Sequence, residues 1–237
     1  VLYDNAALKS FIQTLPFELT DGQKKVVNEI CFDLRAPYEM NRLLQGDVGS
    51  GKTIVATIAM VATALTGKQA ALMVPTEILA EQHMLTIEKL IQKTPLKAVL
   101  LTGSMNRSQK KRKELLAQIE SGEANLVIGT HALFQQDVNF KDLAFVVIDE
   151  QHRFGVQQRQ ALAGKGAGVN VLQMTATPIP RTLAITAFGE MDTSILSEIP
   201  RGRQPIKTSW VREQEMEQIF NFVERQIQEG RQAYMIS

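Results

Sequence analysis

Short apolar runs alternate with helical patterns along most of the chain, and this alternation limits the possible folds more than any other feature. The apolar runs cover residues 42–45, 70–74, 97–101, 125–129, 145–149 and 170–174. The helical patterns between them cover residues 53–65, 77–91, 108–120 and 156–163. Strands that are separated in this way by helices form parallel sheets covered on both faces. The sequence therefore predicts an α/β fold with a mostly parallel sheet and helices on both of its faces.

A glycine-rich loop stands where such a sheet binds its ligands, beyond the carboxyl end of a strand. The segment GDVGSGKT, residues 46–53, follows the first apolar run and fits G-x-x-x-x-G-K-[ST] at each fixed position. Glycines let backbone N–H groups turn towards phosphate oxygens, and the N-terminus of the following helix favours anions. The pattern predicts a nucleotide phosphate site formed by Gly46, Gly49, Ser50, Gly51, Lys52 and Thr53.

Two side chains of this loop have the chemistry that binds ATP with Mg²⁺. Lys52 is expected to reach the β- and γ-phosphates, and the hydroxyl of Thr53 is expected to hold the magnesium ion. A second glycine-containing segment, AGKGAGVN from Ala163, precedes an apolar run and has no Ser or Thr after its lysine. This second segment is therefore interpreted as a surface turn.

The apolar run FVVID ends in two adjacent carboxylates, Asp149 and Glu150. In a nucleotide hydrolase, an aspartate at the end of a buried strand downstream of the phosphate loop supplies a second magnesium contact, a role that we predict for Asp149. Glu150 can orient or deprotonate the attacking water, so the pair predicts ATP turnover. The chemistry of Gln151 and His152 alone leaves two alternatives open, a histidine that is hydrogen-bonded in a turn and a metal ligand without partners.

The charge balance gives no reason to expect a general affinity for nucleic acid. Lys and Arg total 26 against 25 Asp and Glu, so any polyanion site must be local. The basic run RSQKKRKE from Arg107 either contacts DNA phosphates or forms a solvated helix face, and the second interpretation is favoured. The single cysteine, Cys31, rules out an internal disulfide. We expect it to be a small buried residue on a helix in a cytoplasmic protein.

Three motifs together resemble those of the DExH helicases and translocases of superfamily 2. They are GDVGSGKT, DEQH from Asp149 and MTATPIPRTLA from Met174. The longer stretches PYEMNRLLQGDVGSGKT and DEQHRFGVQQR are most similar to the bacterial branched-DNA helicases of this superfamily. Transcription-repair coupling factors share much of the pattern but usually have a second glutamate where Gln151 stands, so this position favours the branched-DNA helicases. The resemblance covers nearly the whole chain and implies a RecA-like P-loop NTPase fold.

The resemblance also implies roles for residues outside the phosphate loop. FELTDGQ resembles the adenine-recognition motif, in which Gln23 would bond the base edge and Phe17 would stack on it. Residues after the next three strands would contact the phosphates of one DNA strand; they are Thr76, Thr102, Gly103 and Thr130. Gln151 and His152 would act with the catalytic residues and bond towards Thr175 and Thr177, coupling the γ-phosphate to the DNA track. Residues 153–155 belong to the same signature, and no mechanism follows for them.

By the same resemblance, residues 1–16 are the tail of a preceding domain or linker, and residues 17–205 are the first helicase lobe. Residues 206–237 would begin the second lobe, with a helical pattern at 212–230 followed by a strand in RQAYMIS. The parent protein would be a monomeric, ATP-dependent DNA helicase that remodels stalled forks and Holliday junctions, with a second lobe, a wedge domain and no membrane contact. The first lobe alone is expected to be a weak ATPase, because the second lobe supplies transition-state cations.

Two alternatives to a branched-DNA helicase remain. One is a transcription-repair coupling translocase, which an RNA-polymerase-binding domain in the parent gene would identify. The other is a nucleotide-dependent binding module without turnover. Glu150→Gln distinguishes the second alternative, because a motor should trap ATP and stop, whereas a binding module should lose nothing.

Overall fold

The structure, a computed structural model, describes residues 1, 3–104, 109–149, 168–177, 191–197, 208, 210–212, 214 and 216–234. Outside the described residues lie the helix predicted at 156–163, residues 153–155, most of the turn from Ala163, and Glu150, Gln151 and His152. The chain divides into two compact units, Val1–Pro200 and Arg201–Ser237. The predicted domain boundaries at residues 16 and 205 stay predictions.

Seven strands of the first unit form one sheet. They are β1 (Asn41–Gly46), β2 (Gln69–Met73), β3 (Ala98–Leu101), β4 (Leu126–Gly129), β5 (Leu143–Asp149), β6 (Asn170–Thr175) and β7 (Asp192–Leu196). Their order across the sheet is β3-β4-β2-β5-β6-β1-β7, and all neighbouring pairs run parallel. The predicted parallel α/β architecture is therefore confirmed.

Strand β7 was not predicted from the sequence. It lies at the edge of the sheet beside β1, and only Ser194 and Leu196 of its five residues are buried. A mostly exposed edge strand lacks the continuous apolar run that identified the other six strands. The bounds of those six strands agree with the predictions to within two residues.

Five α-helices of the first unit are described, together with a 3₁₀ helix at His131–Phe134. They are α1 (Asn5–Gln13), α2 (Asp21–Arg35), α3 (Lys52–Ala64), α4 (Glu77–Ile91) and α5 (Gln109–Ser121). The helices predicted at 53–65, 77–91 and 108–120 agree with α3, α4 and α5 to within one residue. Helix α3 is buried along its last ten residues, because it lies between the sheet and the neighbouring helices.

The sheet separates two hydrophobic cores, because successive side chains of a strand point to opposite faces. Ala70 and Leu72 of β2 pack into one core, and Ala71 and Met73 pack into the other. Helices α1 to α4 contribute to the first core, and α5 and the 3₁₀ helix to the second. From β1 to β2 to β3 the chain moves across the sheet in one direction, and from β3 to β4 to β5 it moves back. Because connections between parallel strands are right-handed, the helices in the first set of connections lie on one face and those in the second set lie on the other. Helices on both faces are thus confirmed.

Two local predictions can be compared with the structure. Cys31 lies buried on α2 as expected, and burial raises the pKa of its thiol. In the basic run, Lys110, Lys111 and Lys113 are exposed on α5, as a solvated helix face requires. Arg112 is different, because its Nη2 atom lies 2.8 Å from both Gln135 Oε1 and Asp137 Oδ2. This arginine ties α5 to the loop that follows the 3₁₀ helix.

The second unit contains helix α6 (Met216–Gln228), which lies within the helical pattern predicted at 212–230. Residues 231–234 have no regular secondary structure, so the strand predicted in RQAYMIS is not formed over its described part. Among the described helices of either unit, none has the length and apolarity needed to cross a bilayer.

Gly129→Ala is expected to lower the free energy of unfolding by about 1–3 kcal/mol, the usual effect of overpacking. An added Cβ at Gly129 would lie 2.1 Å from the carbonyl oxygen of Leu101 on the neighbouring strand, which cannot move without disturbing the sheet. Urea unfolding measures the loss. Gly103→Ala is the control, because its Cβ would meet only Glu77 Oε1 at 3.4 Å. Equal losses in the two variants would show that the close approach of β3 and β4 is not what requires glycine at position 129.

Candidate nucleotide and nucleic-acid site

The phosphate loop, residues 46–53, connects β1 to α3 through a tight backbone path. Gly49 and Gly51 have φ angles of 81° and 89°, in the left-handed region that other residues rarely adopt. An added Cβ at Gly46 would lie 2.5 Å from Ser50 Oγ and 3.2 Å from the carbonyl oxygen of Leu196. The predicted glycines are therefore required by the backbone conformation and by close packing within the loop.

The loop has the features of an anion site. Gly51 is the N-cap of α3 and, having no side chain, makes no capping hydrogen bond to the first turn, where helix N–H groups favour an anion. Lys52 Nζ donates to the carbonyl oxygens of Gly46 and Asp47 at 2.5 and 3.0 Å, which holds its ammonium group over the loop. The buried hydroxyl of Ser50 has no hydrogen-bond partner within the described part of the chain. The backbone N–H groups, the Lys52 ammonium and the Ser50 hydroxyl are together suited to bind the phosphates of a nucleotide.

Gln23 contacts the phosphate loop directly. Its Nε2 donates to the carbonyl oxygen of Ser50 at 3.1 Å, while its Oε1 accepts from the backbone N–H of Thr20 at 3.0 Å. Thr20 returns the interaction by accepting from the backbone N–H of Gln23, so the pair forms a capping box at the start of α2. The predicted adenine-contacting residue thus also connects α2 to the loop, a role that the sequence motif did not reveal.

Phe17 lies on the wall of a cleft of about 870 Å³, with Lys24 and Asn28 of α2 among the other lining residues. Phe17 is 43% exposed, so part of its aromatic surface is accessible to a ligand. The side chain of Gln23 faces the phosphate loop rather than this cleft. Phe17 and Gln23 therefore flank the start of α2 without touching a common surface in this structure.

Asp149 lies at the same edge of the sheet as the phosphate loop. It pairs with Met174, which in turn pairs with Leu44 of β1. Two strand spacings separate Asp149 from β1, which is about 10 Å. Thr53 lies in the first turn of α3, directly after the phosphate loop. Its hydroxyl and the carboxylate of Asp149 offer the oxygen ligands that magnesium prefers. The predicted metal residues are therefore compatible with one site.

His83 also lies at this site, although no sequence motif assigned it a role. Its Nε2 lies 3.3 Å from Asp149 Oδ2, and both side chains are largely buried, with 13% and 15% exposure. The spacing of residues along α4 indicates that His83 needs such a partner. His83 occupies a sheet-facing position of α4 between the buried residues Ala80 and Ile87, where a polar side chain needs a buried partner.

Thr175 and Thr177 contact each other at the end of β6. Their hydroxyl oxygens lie 2.9 Å apart, and the backbone N–H of Thr177 donates to Thr175 Oγ1 at 3.1 Å. Thr175 pairs with Gln45, the residue before Gly46, so this turn lies next to the phosphate loop. The predicted bonds from Gln151 and His152 fall outside the described residues, and the coupling role of the two threonines stays a prediction.

The four residues predicted to contact DNA lie along the other half of the same sheet edge. Leu101 and Met73 both pair with Gly129, so β3, β4 and β2 end at one level. Thr102, Gly103, Thr130 and Thr76 follow these strand ends. Thr76 is exposed and caps α4 by accepting from the N–H of Leu79 at 3.3 Å. The structure therefore brings the four residues to one side of the molecule.

Burial distinguishes these residues in a way that the sequence did not predict. Thr102 and Thr130 are each only 2% exposed. The hydroxyl of Thr102 lies 3.1 Å from that of Ser104, and the hydroxyl of Thr130 has no hydrogen-bond partner among the residues described. Thr76 and Gly103 are the more accessible of the four. A phosphate at this edge would meet Thr76 and backbone N–H groups before the two buried hydroxyls.

Comparison with known proteins identifies the family of this chain. Residues 20–185 match the DEAD/DEAH box helicase family. ATP-dependent DNA helicase RecG of Bacillus subtilis is 55% identical over 234 residues, and RecG of Staphylococcus epidermidis strain RP62A is 57% identical. Each alignment covers 99% of this chain and 34% of the relative, so the chain spans about a third of the length of these proteins.

Solved structures confirm the RecA-like helicase fold. The structure of RecG bound to a three-way DNA junction matches the whole chain with a TM-score of 0.87 and 39% identity, and the match covers 31% of that protein. The DEAD-box helicase Mss116 bound to single-stranded RNA has a TM-score of 0.61 at 19% identity, over 84% of this chain and 44% of its own, and shows the fold alone. Use of ATP, usually with Mg²⁺, is general in this family. The chain, with its phosphate loop, its Asp149 strand end and its match over residues 20–185, is a member of the DEAD/DEAH box helicase family.

Proposed function

We propose that this chain is the first ATP-binding lobe of a DNA helicase or translocase that remodels branched DNA in recombination and repair. The observation that carries the proposal is the division of one sheet edge into two halves. In one half the phosphate loop follows β1, and Thr175 and Asp149 end β6 and β5. In the other half the four predicted DNA contacts follow β2, β3 and β4. The similarity to RecG helicases, one of them in complex with a three-way DNA junction, supports branched DNA as the substrate.

The ATP half would act through the residues of the phosphate loop. Backbone N–H groups of the loop and Lys52 would bind the β- and γ-phosphates, with Lys52 exchanging its bonds to the carbonyl oxygens of Gly46 and Asp47 for phosphate oxygens. Thr53 and Asp149 would hold magnesium, which neutralises charge on the phosphates when it is bound. Glu150 would orient the attacking water.

The DNA half would bind the sugar–phosphate backbone rather than the bases. Thr76 and the backbone around Gly103 are accessible at the ends of β2 and β3, and hydroxyl and N–H donors suit phosphate oxygens. Gln151 and His152, bonded towards Thr175 and Thr177, would pass the state of the γ-phosphate to this half. The parent protein would supply a second lobe and a wedge domain, and would work as a monomer in the cytoplasm.

The decisive experiment is steady-state ATP hydrolysis by this chain and by the full-length natural protein, each with and without forked DNA. The full-length protein should be stimulated by the fork, while this chain should bind ATP and hydrolyse it only slowly. Rapid, DNA-independent hydrolysis by this chain alone would show that the site is complete within one lobe, and the proposal of a two-lobe motor would be wrong.

Gln23→Ala is expected to remove the preference of the full-length protein for ATP over GTP, because an amide that reads the adenine edge cannot bond guanine in the same way. The ratio of the two dissociation constants, measured by competition with a fluorescent nucleotide, reports the effect. Thr20→Ala is the matched control, since it removes a hydroxyl from the same capping box and leaves the Gln23 amide beside Ser50. If Thr20→Ala abolishes the preference equally, the order of α2 and not base recognition explains the result.

A further inference from the structure

The contact between His83 and Asp149 has no place in the ATP chemistry described above. His83 is on α4, and Asp149 is the last residue of β5. Their side chains meet at 3.3 Å between Nε2 and Oδ2 in a largely buried position. The carboxylate that we assign to magnesium is therefore also held by a side chain from a helix that has no part in the phosphate loop.

The same helix begins in the proposed DNA track. Thr76 caps α4, and Glu77 in its first turn accepts a hydrogen bond from the backbone N–H of Ser104 at 2.7 Å. Ser104 follows Gly103 in the loop after β3, so the start of α4 is fixed to two of the strand ends where DNA phosphates would bind. A phosphate that moves this loop would move the first turn of α4 with it.

Helix α4 connects the two positions rigidly. His83 lies six residues after Glu77, which is about 9 Å along a helix at 1.5 Å per residue. Between and beyond these residues, Ala80, Ile87 and Ile91 anchor the helix on the sheet. An α-helix held by its own hydrogen bonds transmits a small displacement along its length, so a shift at the DNA end changes the position of the His83 ring against Asp149.

We propose that His83 is a positioning residue for Asp149, and that α4 couples phosphate contacts at Thr76 and Gly103 to the magnesium–nucleotide site through this contact. The inference rests on the proposed function, since it assigns Asp149 to magnesium and the start of α4 to DNA. It adds a connection between the two halves of the sheet edge that is separate from Gln151, His152, Thr175 and Thr177.

The test compares two substitutions, His83→Gln and His83→Asn, whose amide nitrogens reach different positions of the original ring. In His83→Gln the amide nitrogen can occupy the position of Nε2 and keep the contact with Asp149, whereas the shorter side chain of His83→Asn cannot reach it. Glu88→Ala, on the exposed face of the same helix, is the control. Melting temperatures establish that each variant is folded. Should His83→Asn not fold, His83→Met, which has similar volume and no donor, takes its place.

The measured quantity is the dissociation constant for forked DNA of the full-length natural protein, with and without a non-hydrolysable ATP analogue and Mg²⁺. The ratio of the two constants is the coupling between the sites, and couplings of about 5- to 150-fold are typical. In His83→Asn the ratio should fall by about three-fold or more from its wild-type value, with the remainder carried by the separate route through Thr175 and Thr177, while His83→Gln and Glu88→Ala should keep most of it. DNA stimulation of ATP hydrolysis should change in parallel.

The outcomes distinguish this inference from the proposed function. A wild-type protein that hydrolyses ATP without regard to DNA, and whose DNA affinity ignores the nucleotide, would contradict the proposed function itself. A wild-type protein with clear coupling that His83→Asn retains in full would overturn the role of His83 alone. Loss of coupling in His83→Gln as severe as in His83→Asn would also overturn it, because the Nε2 contact would then not be the determining feature.

Discussion

Arg42→Met should lower the free energy of unfolding by about 3–5 kcal/mol, the loss usual when one partner of a buried ion pair is removed. The Arg42 side chain on β1 is only 10% exposed, and its Nη2 lies 2.7 Å from Oδ2 of Asp33, which is equally buried on α2. Its Nη1 donates to the hydroxyl of Ser194 on β7 at 2.8 Å. Methionine fills a similar volume but leaves the Asp33 carboxylate without its cation in the protein interior.

Urea unfolding followed by circular dichroism checks this loss against two further variants. Lys97→Met breaks the pair with Glu123, which is equally short at 2.6 Å but is about half exposed, and should change stability by less than about 1 kcal/mol. Arg42→Met combined with Asp33→Leu removes both charges and should recover part of the loss. If Arg42→Met is no more destabilising than Lys97→Met, the buried contacts of Arg42 with Asp33 and Ser194 do not hold α2 and β7 against β1.

Lys52→Ala should lower kcat for DNA-stimulated ATP hydrolysis in the full-length natural protein by about 10²- to 10³-fold. The ammonium group of Lys52 lies over the phosphate loop, within hydrogen-bonding distance of two loop carbonyl oxygens. At this position it would stabilise the negative charge that develops on the γ-phosphate during hydrolysis. Alanine removes this cation and leaves the glycine backbone of the loop in place. The defect is therefore expected in turnover and not in folding, which a melting temperature confirms.

Lys68→Ala supplies the comparison for Lys52→Ala. Lys68 is a partly exposed lysine that pairs with Asp142 at 2.8 Å. It precedes the amino end of β2, at the opposite edge of the sheet from the phosphate loop. Its removal should leave kcat within about two-fold of wild type, as for a surface substitution away from the site. Retention of more than a tenth of wild-type turnover by Lys52→Ala would mean that another cation stabilises the transferred phosphate.

Local patterns were enough to predict six strands, four helices and the phosphate loop. An inner strand of a parallel sheet is apolar along its whole length, and a helix that packs on one face repeats its apolar residues every three or four positions. The glycines at positions 49 and 51 also indicated the loop conformation, because the backbone angles there exclude most other residues. Each of these properties depends on residues that are close together in the sequence.

The remaining features needed the tertiary structure, because they depend on which distant segments meet. The sequence by itself could not place β1 between β6 and β7, so the edge strand β7 was missed. Nor could it show that Thr102 and Thr130 turn inwards, or that Gln23 bonds to the phosphate loop. The contact between His83 and Asp149 joins residues far apart in the chain. The amino-acid sequence determined the family and the parts of the proposed ATP site, whereas only the tertiary structure brought His83 of α4 to Asp149 at the end of β5.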